Sequence, residues 1–367
     1  MKTVEPYTFK NGMTMRNRLV MAPMTTYSSN EDFTVSDEEL NYYNLRSKTL
    51  GMVITAATSV NDQAQAFDLQ ISLKEDTFIP SMANLAKAIK EEGALAVVQL
   101  HHGGRMNLPS LFNDPKDIVS ASAVKAPREG LVTPRALSNE EVYQTIDDFA
   151  KASKRALEAG FDGVELHGAN TYLIQQFFSP HSNRRTDEFG GSLKKRMTFI
   201  KMLILKSHEA MKSTNKPFIL GYRFSPEEIE NPGIKLSDTL ELIKLLKTLP
   251  LDYLHISLGR YDQTPMRDPN DQTMIVSHIQ KILNHDIPLI GVGGIERASD
   301  AEDALKKGYD LLAGGTVLLS DPLWGDAIKH KQEPDRTFKK ATLPTPLYNR
   351  LLKNKAYFTQ KGYQYES

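Results

Sequence analysis

The feature that most constrains the fold of this chain is a regular alternation of short, almost wholly apolar segments with longer segments of mixed character. Because a strand with one face in water alternates apolar and polar residues, these uniform segments are expected to be strands buried on both faces, as in parallel sheets. The longer segments are expected to be helices, and Ser36, Ser138 and Ser299 each stand three residues before a glutamate, a pattern that caps helix starts. The eight predicted strands cover residues 19–24, 51–57, 94–99, 161–166, 218–224, 253–258, 289–292 and 311–317.

Eight strand–helix units predict a closed (β/α)8 barrel, the TIM barrel. The alternative is a doubly wound open sheet, which usually carries a glycine-rich loop after its first strand. Here the first strand ends in Ala22-Pro23-Met24-Thr25, without a glycine. Glycine pairs instead follow the seventh and eighth strands, where α/β barrels bind phosphate. The sequence therefore favours the barrel.

The 367 residues are enough for two domains, but single α/β barrels of about 250 residues or more are common, so one domain over residues 1–367 is predicted. The dipeptide Asn11-Gly12 predicts a hairpin within residues 1–15 that caps the barrel. Residues 106–137, rich in Pro, Ser and Asn, are predicted to form a long loop after the third strand. Residues 335–367 are a C-terminal extension, basic and tyrosine-rich, which is expected to dock as a terminal helix or to make a subunit contact in a homo-oligomer.

The composition excludes several classes of function. Lys and Arg total 45, as do Asp and Glu, so no charge excess favours nucleic acid or an anionic membrane as a partner. Without cysteine the chain has no disulfide, no catalytic thiolate and no cysteine-ligated cluster. We find neither a signal core nor an apolar run of membrane-spanning length, so a cytoplasmic protein is expected. No spacing of histidines and carboxylates predicts a metal site.

Candidate catalytic residues follow the fourth predicted strand. His167 and Asn170 place an imidazole and a carboxamide at its end, and Tyr172 adds a phenol just beyond. All three groups donate hydrogen bonds, and the phenol can also give up a proton. Together they are expected to polarise an electron-poor oxygen on a bound substrate.

The segment from residue 161 to 192 contains a long series of residues with a specific spacing. The series is His167, Gly168, Ala169, Tyr172, Leu173, Gln176, Phe177, Ser179, Pro180, Asn183, Arg185, Asp187, Gly190 and Gly191. This pattern resembles the Old Yellow Enzyme family of flavin-dependent ene-reductases, and so many fixed positions are a far more specific signal than a single glycine motif. Two further stretches are similar to family signatures: Gln99 to Arg105, in which His102 is interpreted as structural, and Pro134 to Ser138 with the glutamates after it.

The resemblance implies bound FMN, with NADH or NADPH as hydride donor. Arg223 is then expected to stabilise the negative charge that reduction leaves at the pyrimidine edge of the flavin. Gln99 can donate to and accept from that edge, and the Thr25 hydroxyl suits the flavin carbonyl side. The implied FMN contacts, all at strand ends, are Pro23, Met24, Thr25, Ala57, Gln99, Arg223, Gly293, Gly294, Gly314 and Gly315.

The implied reaction passes hydride from NAD(P)H through the flavin to the β-carbon of an alkene activated by a carbonyl or nitro group. His167 and Asn170 would hold the activating oxygen, and Tyr172 would give a proton to the α-carbon. The expected partner is thus a small electron-poor alkene, a quinone or a nitro compound. Tyr27 matches a substrate-facing tyrosine of one bacterial branch, whereas the pairing of His167 with Asn170 is typical of the yeast-type branch.

One position departs from the family pattern. The last glycine of the phosphate site is usually followed by arginine, but Thr316 follows Gly315 here. A hydroxyl supplies no charge, and charge-assisted hydrogen bonds are about twice as strong as neutral ones, so weaker FMN binding is expected unless another cation takes that place. The alternative function is a non-catalytic flavin- or phosphate-binding barrel. A related dienoyl-CoA reductase needs a cysteine-bound cluster, which this chain lacks.

Overall fold

Eight parallel strands close into a barrel in the computed structural model, which describes residues 1–366. Strands adjacent in the chain pair with one another, and the eighth pairs with the first to close the sheet. The predicted barrel is confirmed and the open-sheet alternative is wrong. The strands are β1 (Leu19–Met21), β2 (Met52–Ser59), β3 (Leu95–His101), β4 (Gly163–Gly168), β5 (Ile219–Phe224), β6 (Tyr253–Ile256), β7 (Leu289–Val292) and β8 (Leu311–Gly314).

Helices separate the strands and cover the outside of the barrel, and further short helices follow β8. The bounds are α1 (Asp37–Ser47), α2 (Ile79–Lys90), α3 (Asn139–Glu158), α4 (Leu173–Phe178), α5 (Leu193–Arg196), α6 (Thr198–Lys212), α7 (Leu236–Leu246), α8 (Ile275–Leu283), α9 (Ala298–Lys307), α10 (Thr316–Ser320), α11 (Trp324–His330), α12 (Thr345–Lys353) and α13 (Lys355–Gln360). Each helix in residues 1–366 is too short or too polar to cross a membrane.

Two of the three predicted helix caps are confirmed. The side chains of Ser36 and Ser138 each accept a hydrogen bond from the backbone N–H of the third helical residue. The glutamate at that third position in turn accepts from the backbone N–H of the serine. The predicted cap at Ser299 is wrong, because α9 begins after Arg297 and Asp300 accepts from the Arg297 N–H at 2.8 Å. Asp300, two residues before Glu302, thus makes the capping contact that the sequence pattern assigned to Glu302.

Three predicted strands extend beyond their observed carboxyl ends. Residues 22–24, 257–258 and 315–317 were predicted as strand, but β1 ends at Met21, β6 at Ile256 and β8 at Gly314. The apolar character continues because the chain turns across the end of the barrel and stays partly covered there. These turns form part of the site described below.

A hairpin closes the amino-terminal end of the barrel, as predicted. The strand Tyr7–Thr8 pairs with Thr14–Met15, and Phe9 and Met15 are buried against inward-facing residues such as Val20 and Ile54. Burying a side chain of this size contributes about 1.5–3 kcal/mol relative to exposure. This end is therefore filled by apolar packing, and function is left to the carboxyl ends of the strands.

The C-terminal extension packs against the barrel, and Leu347, Tyr348 and Leu351 belong to the same hydrophobic core as the barrel helices. The strand Thr337–Phe338 pairs in parallel with Gln364–Tyr365. The rings of Phe338 and Tyr363 stack at 5.1 Å with an interplanar angle of 8°, and both side chains are buried. This packing fixes the turn between α13 and the last strand beside the carboxyl end of the barrel.

Candidate active site

Two hollows lie at the carboxyl ends of the barrel strands. The inner cavity, of about 90 Å³, is lined by Pro23, Thr25, Ala57, Phe67, Gln99, His167, Asn170, Tyr172 and Arg223. The outer cleft, of about 410 Å³, is lined by the turns after β6, β7 and β8 and by the turn that follows α13. A larger groove of about 720 Å³, between α1 and residues 340–345, contains no predicted site residue.

Strand pairing brings the inner residues together. Ala57 of β2 stands opposite Gln99 of β3, and His167 of β4 stands opposite Arg223 of β5. Residues opposite one another in a sheet have neighbouring side chains. The closed barrel therefore gathers side chains that lie far apart in the sequence.

His167 is a neutral hydrogen-bond donor in this cavity. Burial lowers its pKa well below the ordinary value, and His101 and Arg223 nearby lower it further. Its Nδ1 accepts from the Ala169 N–H at 3.4 Å, so the single ring proton is assigned to Nε2. The ring can thus donate from Nε2 without carrying a charge.

Asn170 has its side-chain orientation fixed by one contact. The Ser257 Oγ donates to Asn170 Oδ1 at 2.8 Å, which leaves the two Nδ2 hydrogens available. Its backbone is left-handed, with φ of 56°, and its N–H donates to Ser225 Oγ at 2.9 Å. Asparagine tolerates that conformation better than most residues, so the turn and the orientation of the donor are built together.

The Tyr172 phenol borders the same cavity and is enclosed by aromatic rings. Its ring centroid lies 4.3 Å from that of His101 and 5.0 Å from that of His167, both in edge-on arrangements. Burial raises the pKa of Tyr172 to about 12. The phenol is therefore fully protonated at neutral pH.

Arg223 is buried with few partners. Its Nη2 donates to Ser257 Oγ at 3.2 Å, while its Nε has no hydrogen-bond partner in residues 1–366. A guanidinium carries five N–H donors, and leaving buried donors unpaired is costly. A ligand rich in acceptor atoms would satisfy them, and this property fits the pyrimidine edge of a flavin.

A buried carboxylate, Glu165, stands opposite Gln99 on the neighbouring strand. It accepts from Gln99 Nε2 at 2.7 Å, from His255 Nδ1 at 2.9 Å and from the Tyr253 hydroxyl at 3.0 Å. Burial raises the pKa of Glu165, but its neighbours His255 and Arg223 lower it more, so the group is ionised. Because the Gln99 amide is held by Glu165, its Oε1 remains to accept from a ligand N–H.

Glycine is required at position 221, because the Tyr253 ring lies directly over it. A Cβ placed on Gly221 would lie 2.0 Å from the Tyr253 ring. The strand pairing sets these two residues opposite each other. Gly221 therefore makes room for the ring whose hydroxyl reaches Glu165.

The outer cleft has the properties of an anion site. Gly293 and Gly294 have φ of 110° and 72°, and a Cβ on Gly294 would meet nothing within 4 Å. A Cβ on Gly315 would meet only Met24 Sδ, at 4.0 Å. Backbone N–H groups and open space at such turns suit a phosphate. Thr316 lines the cleft beside them.

Three predicted site residues lie outside both hollows. Gly314 faces Trp324, whose ring would be 2.8 Å from an added Cβ. Met24 is partly buried and packs against the hydrophobic core, with its Sδ 4.0 Å from a Cβ built on Gly315. Tyr27 lines an apolar groove beside α12, and its ring is in edge contact with Phe67 of the cavity lining at 5.8 Å.

Four residues of the site were missed from the sequence. Phe67 lies in the loop after β2, which gives no periodic signal, and Ser257 follows β6. His101 and Glu165 could have been found, because each lies two residues from a predicted site residue on the same strand and so on the same face. His102 is buried and accepts from the Gly104 N–H at 3.1 Å, consistent with its structural interpretation.

Comparison with known proteins finds relatives over nearly the whole chain. Residues 2–335 match the model of the NADH:flavin oxidoreductase / NADH oxidase family. The chain is 42% identical over 365 residues to the probable NADH-dependent flavin oxidoreductase YqiG of Bacillus subtilis (strain 168), covering 97% of both chains. It is 41% identical over 354 residues to the NADH:acrylate oxidoreductase of Vibrio harveyi. That alignment covers 94% of this chain but 35% of the Vibrio protein, so the chain spans about a third of that relative.

Solved structures show the same fold. The old yellow enzyme homologue from Zymomonas mobilis superposes with a TM-score of 0.80 at 25% sequence identity. The superposition covers 92% of this chain and 95% of that one. The two proteins thus share their fold over nearly the whole length of both chains.

Proposed function

Since this chain belongs to the NADH:flavin oxidoreductase / NADH oxidase family, we propose that it is an ene-reductase that reduces electron-poor alkenes. FMN is its cofactor, and NADH or NADPH is its hydride donor. When bound, FMN would supply the chemistry of hydride transfer between the nicotinamide and the acceptor. The single observation that carries the proposal is the convergence of two neutral donors and one phenol on the cavity that contains Arg223.

His167 and Asn170 are proposed to hold the activating oxygen of the alkene. His167 offers Nε2–H, and Asn170 offers Nδ2 because Ser257 occupies its oxygen. Two donors at one oxygen draw electrons from a conjugated double bond and stabilise the negative charge that develops there. As neutral groups, they also let a product leave without breaking an ion pair.

Tyr172 is proposed to deliver the proton to the α-carbon. A phenol whose pKa is about 12 is a weak acid, but the carbon that it meets is enolate-like and strongly basic. The raised pKa also prevents loss of the proton to water before the reaction. His101 and His167 hold the ring edge-on and so fix the direction of the hydroxyl.

Gln99 and Arg223 are proposed to hold the pyrimidine edge of FMN, with Glu165 behind them. Gln99 Oε1 would accept the ring N–H, and Arg223 would donate to neighbouring oxygens and balance negative charge. Pro23, Thr25 and Ala57 line the same cavity and would shape the rest of the ring site. Gly293, Gly294 and Gly315 would take the phosphate.

The acceptor class can be tested with the purified protein under anaerobic conditions. The visible spectrum is recorded before and after NADH or NADPH, and then an enone, a nitroalkene, a quinone or acrylate is added. Acrylate is included because a relative at 41% identity carries it in its name. We expect a flavin spectrum that bleaches and that an activated alkene restores.

Two other outcomes would overturn the proposal. A flavin that bleaches but is reoxidised by none of the alkenes would mean a different acceptor. Protein that stays colourless after FMN is supplied would favour a non-catalytic barrel.

A further inference from the structure

We propose that Lys361, in the turn after α13, supplies the positive charge for the FMN phosphate that Thr316 cannot supply. Lys361 and Tyr363 line the outer cleft together with Gly294, Gly315 and Thr316. The C-terminal extension would then be part of the cofactor site. The inference rests on FMN as the cofactor and is independent of which acceptor the enzyme reduces.

Other cations near the cleft are already paired. Arg260 lines the cleft, but its Nε and Nη2 bond both carboxylate oxygens of Asp262 at 2.9 and 2.8 Å. Arg336 pairs with Glu296, the acidic residue of the cleft lining. Lys361 differs, because it makes no ion pair with any carboxylate of residues 1–366.

Charges within the cleft also favour an anion. Glu296 would repel a phosphate, but it is held by Arg336 and accepts from the Tyr363 hydroxyl at 2.8 Å. This pairing cancels the one acidic group of the lining. Lys361 is then left as the uncompensated charge, and its sign is the one that a phosphate needs.

The backbone of Lys361 is held in place although its side chain is exposed. Arg336 Nη1 donates to the Lys361 carbonyl at 3.1 Å, and Gln364 N–H donates to the Arg336 carbonyl at 2.8 Å. Two residues later, Tyr363 is buried against Phe338. The turn is therefore anchored on both sides, while the lysine stem stays free to move.

Lys361 has only a weak alternative partner. Its Nζ lies over the ring of Tyr357, 4.5 Å from the centroid, and Tyr357 is 54% exposed. Cation–π contacts at exposed sites contribute less than charge-assisted hydrogen bonds to phosphate. A phosphate in the cleft would therefore draw the ammonium group away from Tyr357.

The test measures FMN and riboflavin binding to the full-length apo-protein by quenching of flavin fluorescence. Riboflavin has the same ring and no phosphate. For K361Q we expect the FMN Kd to rise about tenfold, the size of one charge-assisted bond, while the riboflavin Kd stays unchanged. K361R should keep FMN affinity, and adding T316R to K361Q should restore it.

Matched controls make the result specific. K355Q removes a lysine of the same extension that lies over Tyr365 at 5.4 Å and is not part of the cleft lining, so FMN affinity should not change. The FMN Kd of the unaltered protein should rise with salt more steeply than that of K361Q. The proposal is overturned if K361Q binds FMN normally, if it loses riboflavin affinity equally, or if R260Q rather than K361Q weakens FMN.

Discussion

The inner cavity and the outer cleft, which we propose to hold different parts of one cofactor, are built in different ways. The inner cavity is built from strand ends, and its charged groups Arg223 and Glu165 are almost fully buried. The outer cleft is built from turns and from the C-terminal extension, and its cations are exposed. Charges interact strongly in a buried, low-dielectric setting and weakly beside water. A substitution inside therefore disturbs a whole network, whereas the outer cleft can exchange one cation for another from a different part of the chain.

The largest expected effect is on the rate of alkene reduction when a tyrosine of each hollow is replaced by phenylalanine. Tyr172→Phe should slow reoxidation of the reduced enzyme by an alkene about 10²- to 10⁴-fold, because the proposed proton donor is lost. Reduction by NADH or NADPH should change little. Tyr363→Phe, at the outer cleft, should leave alkene reduction within about twofold. Stopped-flow measurement of the two half-reactions checks this, and equal losses in both for Tyr172→Phe would remove the residue from its proposed role.

Replacing a glutamate by glutamine should lower the free energy of unfolding more beside the inner cavity than in the outer cleft. Glu165→Gln removes the buried carboxylate that accepts from Gln99, His255 and Tyr253 and that favours the charge of the nearby Arg223, and disrupting a buried charged network of this kind costs about 3–5 kcal/mol. Glu296→Gln breaks a partly exposed pair with Arg336, whose contribution is about 1 kcal/mol or less. Urea unfolding of the apo-proteins at pH 7 gives both free energies. Similar losses would mean that the inner network is no more tightly coupled than the outer one.

Buried imidazoles beside the inner cavity should make stability depend on pH. Burial lowers the pKa of His102 to about 3 in the folded state, below its ordinary 6.5. The unfolded chain therefore binds a proton that the folded one refuses, and stability is present above about pH 6.5 and lost as pH falls toward 3. At pH 5 this amounts to about 2 kcal/mol.

His102→Asn tests this effect, because an asparagine oxygen can still accept from the Gly104 N–H. We expect the loss of unfolding free energy between pH 7 and pH 5 to be about 2 kcal/mol smaller in the variant. An unchanged pH dependence in urea titrations would show that the pKa of His102 is the same in the folded and the unfolded protein.

The smallest expected effect concerns the orientation of a donor. Ser257→Ala removes the bond that fixes the Asn170 amide and the contact with Arg223. One neutral hydrogen bond contributes about 1 kcal/mol, so the KM for the alkene should rise roughly fivefold with kcat little changed. Thr316→Val removes a hydroxyl from the outer cleft, so it should lower FMN affinity and leave the KM for the alkene unchanged. Steady-state kinetics with saturating FMN distinguishes the two.

The sequence alone determined the barrel and most of the inner cavity. Eight uniformly apolar strands can bury both faces only in a parallel sheet with helices outside it, and closure then directs all carboxyl ends to one side. Residues at those ends, such as Gln99, His167 and Arg223, are therefore predictable as neighbours from the strand pattern. The motif from His167 to Gly191 predicted the family.

Only the tertiary structure decided which groups lie against them. Glu165 meets His255 ninety residues away, and Ser257 orients Asn170 across the barrel mouth. Lys361 reaches the outer cleft from an extension that the strand pattern does not include. Strand order and direction follow from local hydrophobic pattern, because burial is a property of each segment by itself. Contacts between side chains of distant turns depend on packing and carry no periodic signal in the sequence.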